Sequence, residues 1–335
     1  MARASERLRA DPTALVGRPA SDLWEVLDEV RAAFDARPGR PLVELPSDRP
    51  VAVIGDSHGD WPAVSSALRF ARGRSVPERF VGLGDYIHRA TRAEPDPAAL
   101  PSGSVWNVAY LLAWASYAPD DVILLRGNHE ATRQIPVPAP TLLRELGRAY
   151  PRVEVLPLWE SIVGLLERLP LAARTQNGVF LAHGGIPDRS FWDPARWEAS
   201  NLRLLEGLLW SDPELEYEDR AVGAPYGPDA LDAFLRAVGC RVMVKGHAPN
   251  HSGRSLYGGR LLTVHTSDLF ARFGEGGVLL AEIPARERIE SSADLTLRAW
   301  DGAEWIPRAI RHDPELPGPP TGVPAATPAT DGSGR

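Results

Sequence analysis

The amino-acid sequence predicts a layered α/β fold built on a mixed sheet or two packed sheets, and three observations carry that prediction. Five short apolar runs, VAVIGD at 51–56, FVGLGD at 80–85, VILLRGN at 122–128, VFLAHGG at 179–185 and VMVKGH at 242–247, each end in glycine beside Asp, Asn or His, the pattern of buried strands feeding loops. Stretches of helical apolar spacing lie between them, and that alternation marks a layered α/β architecture. The segment 256–284, with LYGGRLLTVHTSD and then GGVLLAEIP, reads instead as two or three strands with glycine-containing turns, which a purely parallel sheet does not fit.

Taken in order, residues 20–36 place Leu23, Trp24, Leu27, Val30 and Phe34 at helical spacing, with Ser21 as the expected N-cap. The prolines of PGRPLVELPSDRP then end the helix ahead of the first strand. Further helices are expected over 61–70, 104–117, 140–149 and 229–238, one after each strand or loop. The segments 91–103 and 213–228 are polar and proline-containing, and loops of this kind can rim a site. Residues 314–335 have the Pro/Gly/Ser/Thr composition of a disordered tail.

The 335 residues, 44% hydrophobic, can bury one core of about 250–280 residues with looser ends. A net charge of -7, from 37 Lys+Arg against 44 Asp+Glu, gives no global field for nucleic acid or an anionic membrane. An anionic substrate would therefore need a local positive site, and metal ions are one way to make it. Cys240 is the only cysteine and lies in an apolar run, so it is expected to be a core thiol. No signal-like or membrane-length apolar stretch occurs, which predicts a soluble cytoplasmic protein.

Glycine lets a chain turn sharply at a strand end, and the next polar side chain can then point into a crevice outside the sheet. Five such ends would gather distant residues around one point. Asp56 and His58 can face one ion, Asp85 is suited to bridge, and Asn128, His183 and His247 supply an amide oxygen and two imidazoles to a second. Mixed O/N ligation suits two divalent ions of manganese, iron or zinc better than magnesium or copper. Two such ions against two carboxylates and a bridging hydroxide leave a centre of about +1, which would draw a phosphate dianion.

In the same order, GDSHG at 55–59, GDYIHR at 84–89, LLRGNHE at 124–130, HGG at 183–185 and GH at 246–247 resemble the motifs of the phosphoprotein phosphatases within the calcineurin-like metallophosphoesterases; LLWSDP at 208–213 and YEDR at 217–220 extend the match. The resemblance covers roughly residues 50–285 and marks a divergent, bacterial-type member. It implies the calcineurin-like metallophosphoesterase fold, two packed mixed sheets flanked by helices, with Asp56, His58 and Asp85 on one metal and Asp85, Asn128, His183 and His247 on the other. It also implies that His129 is the general acid and that Arg89 and Arg220, with Asn128, hold the phosphoryl group while a metal-bound hydroxide attacks it directly. On this reading residues 1–49 are an N-terminal helical extension, 50–285 the catalytic domain and 286–313 a C-terminal extension.

The resemblance frays at His88, where the family has an aspartate that pairs with the catalytic histidine, and at Ala90, where it has glycine. An imidazole cannot raise the pKa of His129 as a carboxylate would. Relatives that hydrolyse dinucleoside polyphosphates also lack that aspartate, whereas Glu130 matches the GNHE of protein phosphatases. Asp60, His88 and Glu130 are the residues expected just behind the ligands, with Asp60 expected first as the N-cap of the helix starting near Trp61. The loose counterpart of the family's SAPNY segment is HTSDLF, with Phe270 in place of tyrosine. His251 and His265 are expected at the surface or in the core, and Trp159 in packing. The function expected is hydrolysis of phosphomonoesters, in the first place phosphoserine and phosphothreonine in proteins. Hydrolysis of dinucleoside polyphosphates or another small phosphorylated metabolite, and a non-catalytic phosphate-recognising module, are the alternatives. The sequence names no regulatory partner.

Overall fold

The computed structural model describes residues 2–37, 39–88, 103–137, 141–215, 221–269, 277–285 and 288–312. Among these, helices run over α1 (Ala4–Ala10), α2 (Ala20–Ala36), α3 (Trp61–Arg72), α4 (Gly103–Tyr117), α5 (Leu142–Ala149), α6 (Arg152–Leu166), α7 (Leu202–Trp210) and α8 (Pro228–Ala237). Strands run over β1 (Leu42–Leu45), β2 (Val51–Ile54), β3 (Arg79–Gly82), β4 (Val122–Leu124), β5 (Ala172–Thr175), β6 (Val179–Ala182), β7 (Asp212–Pro213), β8 (Pro225–Tyr226), β9 (Val242–Lys245), β10 (Arg254–Leu256), β11 (Leu261–Thr263), β12 (Leu279–Ile283), β13 (Thr296–Trp300), β14 (Trp305–Arg308) and β15 (Arg311–His312).

Two mixed sheets carry the fold, as expected. One has the order β14-β13-β12-β2-β3-β4 and the other β1-β5-β6-β9-β11-β10-β15; β7 and β8 pair separately. Val51, Val53, Val81 and Leu83 of the first sheet share a buried cluster with Leu181, Val242, Val244 and Val264 of the second, so the sheets pack face to face. Helices α1 to α6 cover the outer face of the first, where Ala52, Ile54, Phe80 and Leu124 point. Helices α7 and α8 cover the outer face of the second, over Phe180, Ala182 and Met243. Strands β2, β3, β4, β6 and β9 are therefore buried on both faces. This explains why they read as unbroken apolar runs rather than as alternation.

The helix expected over 20–36 is α2, but Ser21 is not its cap. Pro19, whose ring fixes φ at -64°, precedes the first helical residue, so Ser21 falls inside the first turn. Helix α6 was not foreseen, because Pro157 interrupts its pattern from within. Cys240 is buried, and burial pushes its thiol up to about 12, as a core thiol requires. Trp159 packs against the helical core. No helix among the described residues is long and apolar enough to cross a membrane.

Candidate metal centre

Two trios of parallel neighbours place the functional side chains. In the first sheet β2, β3 and β4 run parallel, and just past their carboxyl ends stand Asp56, Asp85 and Asn128. In the second, β6, β9 and β11 run parallel, and past their ends stand His183, His247 and His265. Parallel strands bring their ends to one edge, and open α/β sheets bind ligands in the crevice outside that edge. Oxygen donors thus come from one sheet and imidazoles from the other, with His58 added by the loop after β2.

Several of these residues hold left-handed backbone: φ is 41° at His58, 55° at Asp85, 64° at His88 and 68° at His247. Such strain costs about 1–3 kcal/mol per residue and persists only where the surroundings enforce it. Here they do. His58 N donates to Asp85 O at 2.8 Å and His247 N donates to the Asp56 carboxylate at 3.0 and 3.1 Å. The glycines act mainly by admitting close neighbours, a correction to the turn argument. A Cβ at Gly55 would lie 1.6 Å from Val264 O, and one at Gly246 2.1 Å from Asp56 Oδ1.

The six expected ligands come together. Ligand atoms of Asp56, Asp85 and His183 lie within 4.8 Å of one another, as do those of His58, Asp85 and His129. Asp85 belongs to both groups, which is the position of a bridge. Asn128 Oδ1 is 2.9 Å from His183 Nε2, and the His247 ring stands edge-on to His183 with centroids 5.1 Å apart.

Cations fit this donor set. The inward atom of the Asn128 amide, its oxygen, meets the Asp85 oxygens at 3.0 and 3.1 Å, an arrangement of lone pairs that a cation relieves and that otherwise needs the amide turned over. His183 Nδ1 is buried with no hydrogen-bond partner among the described residues. Burial holds the His58 imidazole below its usual range and pushes His183 down to about 4, so both offer neutral nitrogen to an ion. Asp56, His58 and Asp85 would hold one cation, and Asp85, Asn128, His183 and His247 the other.

His129 lies over this cluster, its Nε2 3.8 Å from Asp85 Oδ2. Its other nitrogen meets an imidazole: His129 Nδ1 and His88 Nδ1 are 3.0 Å apart. Burial first, then the imidazoles of His58, His88 and His183, holds His129 well below the usual histidine range, and burial takes His88 to about 4. Asp60 is the cap of α3, accepting from Ala63 N at 3.2 Å, and its second oxygen accepts from Asp268 N at 2.8 Å. Glu130 accepts from the backbone amides of Asp85 (2.6 Å), Tyr86 (2.8 Å) and Gly127 (2.9 Å), which ties the β3 and β4 loops together. Burial still pushes it up to about 7. Arg89, Arg220 and Phe270 lie outside the described residues.

Sequence reasoning gave no role to Asp212, Lys245 or His265. Lys245 Nζ donates to Asp212 Oδ1 at 2.7 Å with both side chains buried, and Asp212 Oδ2 lies 3.8 Å from His247 Nε2. The buried pair stands beside His247. The LLWSDP motif was its only signal. His265 is in the core, as one of its two expected places, but against Asp56.

The chain is similar to known phosphatases in sequence and in fold. A probable serine/threonine-protein phosphatase of Encephalitozoon cuniculi (strain GB-M1) is 29% identical over 269 residues, 74% of this chain and 54% of its own, so the chain spans about half the length of that curated relative. A solved serine/threonine phosphatase from Saccharomyces cerevisiae, with similarity to human phosphatase PP5, matches in fold with a TM-score of 0.65 at 22% identity, over 91% of this chain and 97% of that one. The family model described as calcineurin-like phosphoesterase matches residues 49–252, the span that carries Asp56, Asp85, Asn128, His183 and His247, and the chain belongs to that family.

Proposed function

We propose that the protein is a dinuclear-metal hydrolase of phosphomonoesters, acting on phosphoserine and phosphothreonine in proteins. The observation that carries this reading is Asp85, shared between two ligand clusters at the meeting edge of two sheets. Two divalent cations held there, manganese in the first place or iron or zinc, would supply Lewis acidity at a phosphoryl oxygen and a water ionised at neutral pH. Asp85 would be shared by both cations, and His129 N donates to its Oδ1 at 3.0 Å, so the carboxylate and the proton donor are positioned together. His129 presents Nε2 toward the same cluster, where it hands a proton to the departing oxygen. Arg89 and Arg220 are assigned to the equatorial phosphoryl oxygens.

Manganese-dependent hydrolysis of an aryl phosphate and of a phosphoserine peptide tests the proposal. Asp85→Asn should lower both rates at least about a hundredfold by weakening the bridge. Wild-type turnover that is indifferent to metal removal would overturn it. A second reading, hydrolysis of phosphoanhydrides such as dinucleoside polyphosphates, is favoured by one observation, the contact of His129 with His88 in place of a carboxylate. An anhydride leaving group departs with little protonation, so direct competition between the two substrate classes decides between them.

A further inference from the structure

His265 has no place in the six-residue set, yet the topology puts it in line with two members. Strands β6, β9 and β11 are consecutive parallel neighbours, the first two leading to His183 and His247 and the third to His265. The ring is fully buried. Its backbone forms a parallel bridge with Asp56, Thr266 N donates to Asp56 O at 2.9 Å, and Gly55 N donates to Thr266 Oγ1 at 3.0 Å. Those contacts cross from one sheet to the other and fix the ring against the Asp56 carboxylate.

The two oxygens of Asp56 divide the space. Both accept from His247 N, at 3.0 and 3.1 Å, and Oδ1 lies 3.7 Å from His183 Nδ1. Oδ2 lies 3.4 Å from His265 Nε2 and 4.0 Å from His58 Nε2. A charge-assisted hydrogen bond from a ring nitrogen to a carboxylate closes to about 2.7–2.9 Å. Two donors each about 2.1 Å from one ion stand about 3.0–3.4 Å apart at octahedral to tetrahedral angles. The His265 spacing is the second kind, as is the 3.5 Å between His58 Nε2 and Asp85 Oδ2.

We infer that His265 is a further ligand of the cation held by Asp56, His58 and Asp85, binding through Nε2. This rests on the dinuclear reading above and deepens it. The position then has two carboxylates and two imidazoles, a set that favours zinc or iron over magnesium more strongly than one imidazole does. It also gives the seven-stranded sheet a share in both cations, so that each ion would tie the two sheets together.

The test uses the full chain, stripped with chelator and reloaded with zinc. Calorimetric titration should find two ions in the wild type and, in His265→Ala, one of unchanged affinity and one weakened at least about tenfold. X-ray absorption of the zinc-loaded protein should count about two imidazoles per zinc, four rings over two ions, falling to about 1.5 in the variant. A wild-type count of about 1.5 with two ions bound would overturn the His265 inference alone. So would a weakened affinity with an unchanged count, which marks a ring that only orients Asp56. Fewer than two ions in the wild type would overturn the dinuclear reading itself. Should His265→Ala fail to fold, His265→Gln replaces it, and the wild-type count decides without any variant.

Discussion

On the proposed function, the contact of His88 with His129 bears on the leaving group the site would handle. With His129 Nδ1 against another imidazole at 3.0 Å, a second proton on the pair would be repelled, and burial already disfavours the charged ring. His88→Asp should reverse this, since a carboxylate at the same place raises the His129 pKa. Asp also accepts the left-handed backbone found there, φ 64°. The expected outcome is a rise of about tenfold or more in kcat on a phosphoserine peptide relative to an aryl phosphate. An unchanged ratio would mean that protonation of the leaving oxygen does not limit the alkyl ester. The departure at this residue was legible in the sequence, as was the gathering of Asp56, Asp85, Asn128, His183 and His247 past the strand ends, because each of the five sits beside a strand-end glycine. His265 was not, because LLTVH ends without glycine and its meeting with Asp56 joins positions far apart in the chain. Asp212 was hidden for a like reason, its partner Lys245 lying on another strand.

Elements were legible where a helical run is long or where an apolar strand buried on both faces ends in glycine. Helices α3, α4 and α8 appear within about two residues of their expected ends. Strands β1 and β5 and the terminal β13 to β15 were missed because LVEL, AART, TLRAW, WIPR and RH are not unbroken apolar runs ending in glycine. The strand-end glycines were read correctly as markers, but close approach rather than a positive φ is what most of them serve, Gly84 with φ 117° serving both, which leads to a test. At Gly55 an added methyl would collide with Val264 O at 1.6 Å, and both neighbours are backbone of packed sheets. Gly55→Ala should therefore lower stability by several kcal/mol, more than the about 1–3 kcal/mol usual for overpacking, and should weaken metal binding by parting Asp56 from His265. Gly147, inside α5 with nothing within 4 Å of an added Cβ, gives the contrast. Gly147→Ala should be neutral or stabilising by up to about 1 kcal/mol. Thermal melts of the two variants, taken with zinc titration, check both; equal shifts would remove the close-approach explanation.

At the scale of the molecule, the question is whether the chain ends are appendages to a catalytic unit spanning 50–285. Helices α1 and α2 pack on α4, and α2 also on α6; Trp24 Nε1 donates to Glu154 at 2.9 Å and Arg31 to Ser161 at 2.7 Å. Leu8, Leu15, Leu23, Val26, Leu27 and Val30 are fully buried in the cluster that also holds Ile54 and Phe80 of the central strands. Deleting 1–38 removes the ordering entropy of those residues along with their contacts. The surfaces they cover on α4, whose residues Ser104 to Ala113 are all buried, would remain and face water. At about 1.5–3 kcal/mol for each large apolar side chain uncovered, three or four such side chains lose as much as a whole domain's stability of about 5–15 kcal/mol. We therefore expect a chain starting at Gly39 to lose its near-UV circular dichroism and its cooperative melt, and with them two-ion binding. A cooperative melt within a few degrees of the full chain, with both ions still bound, would show instead that α1 and α2 are separable and that the metal-bearing sheets stand without them.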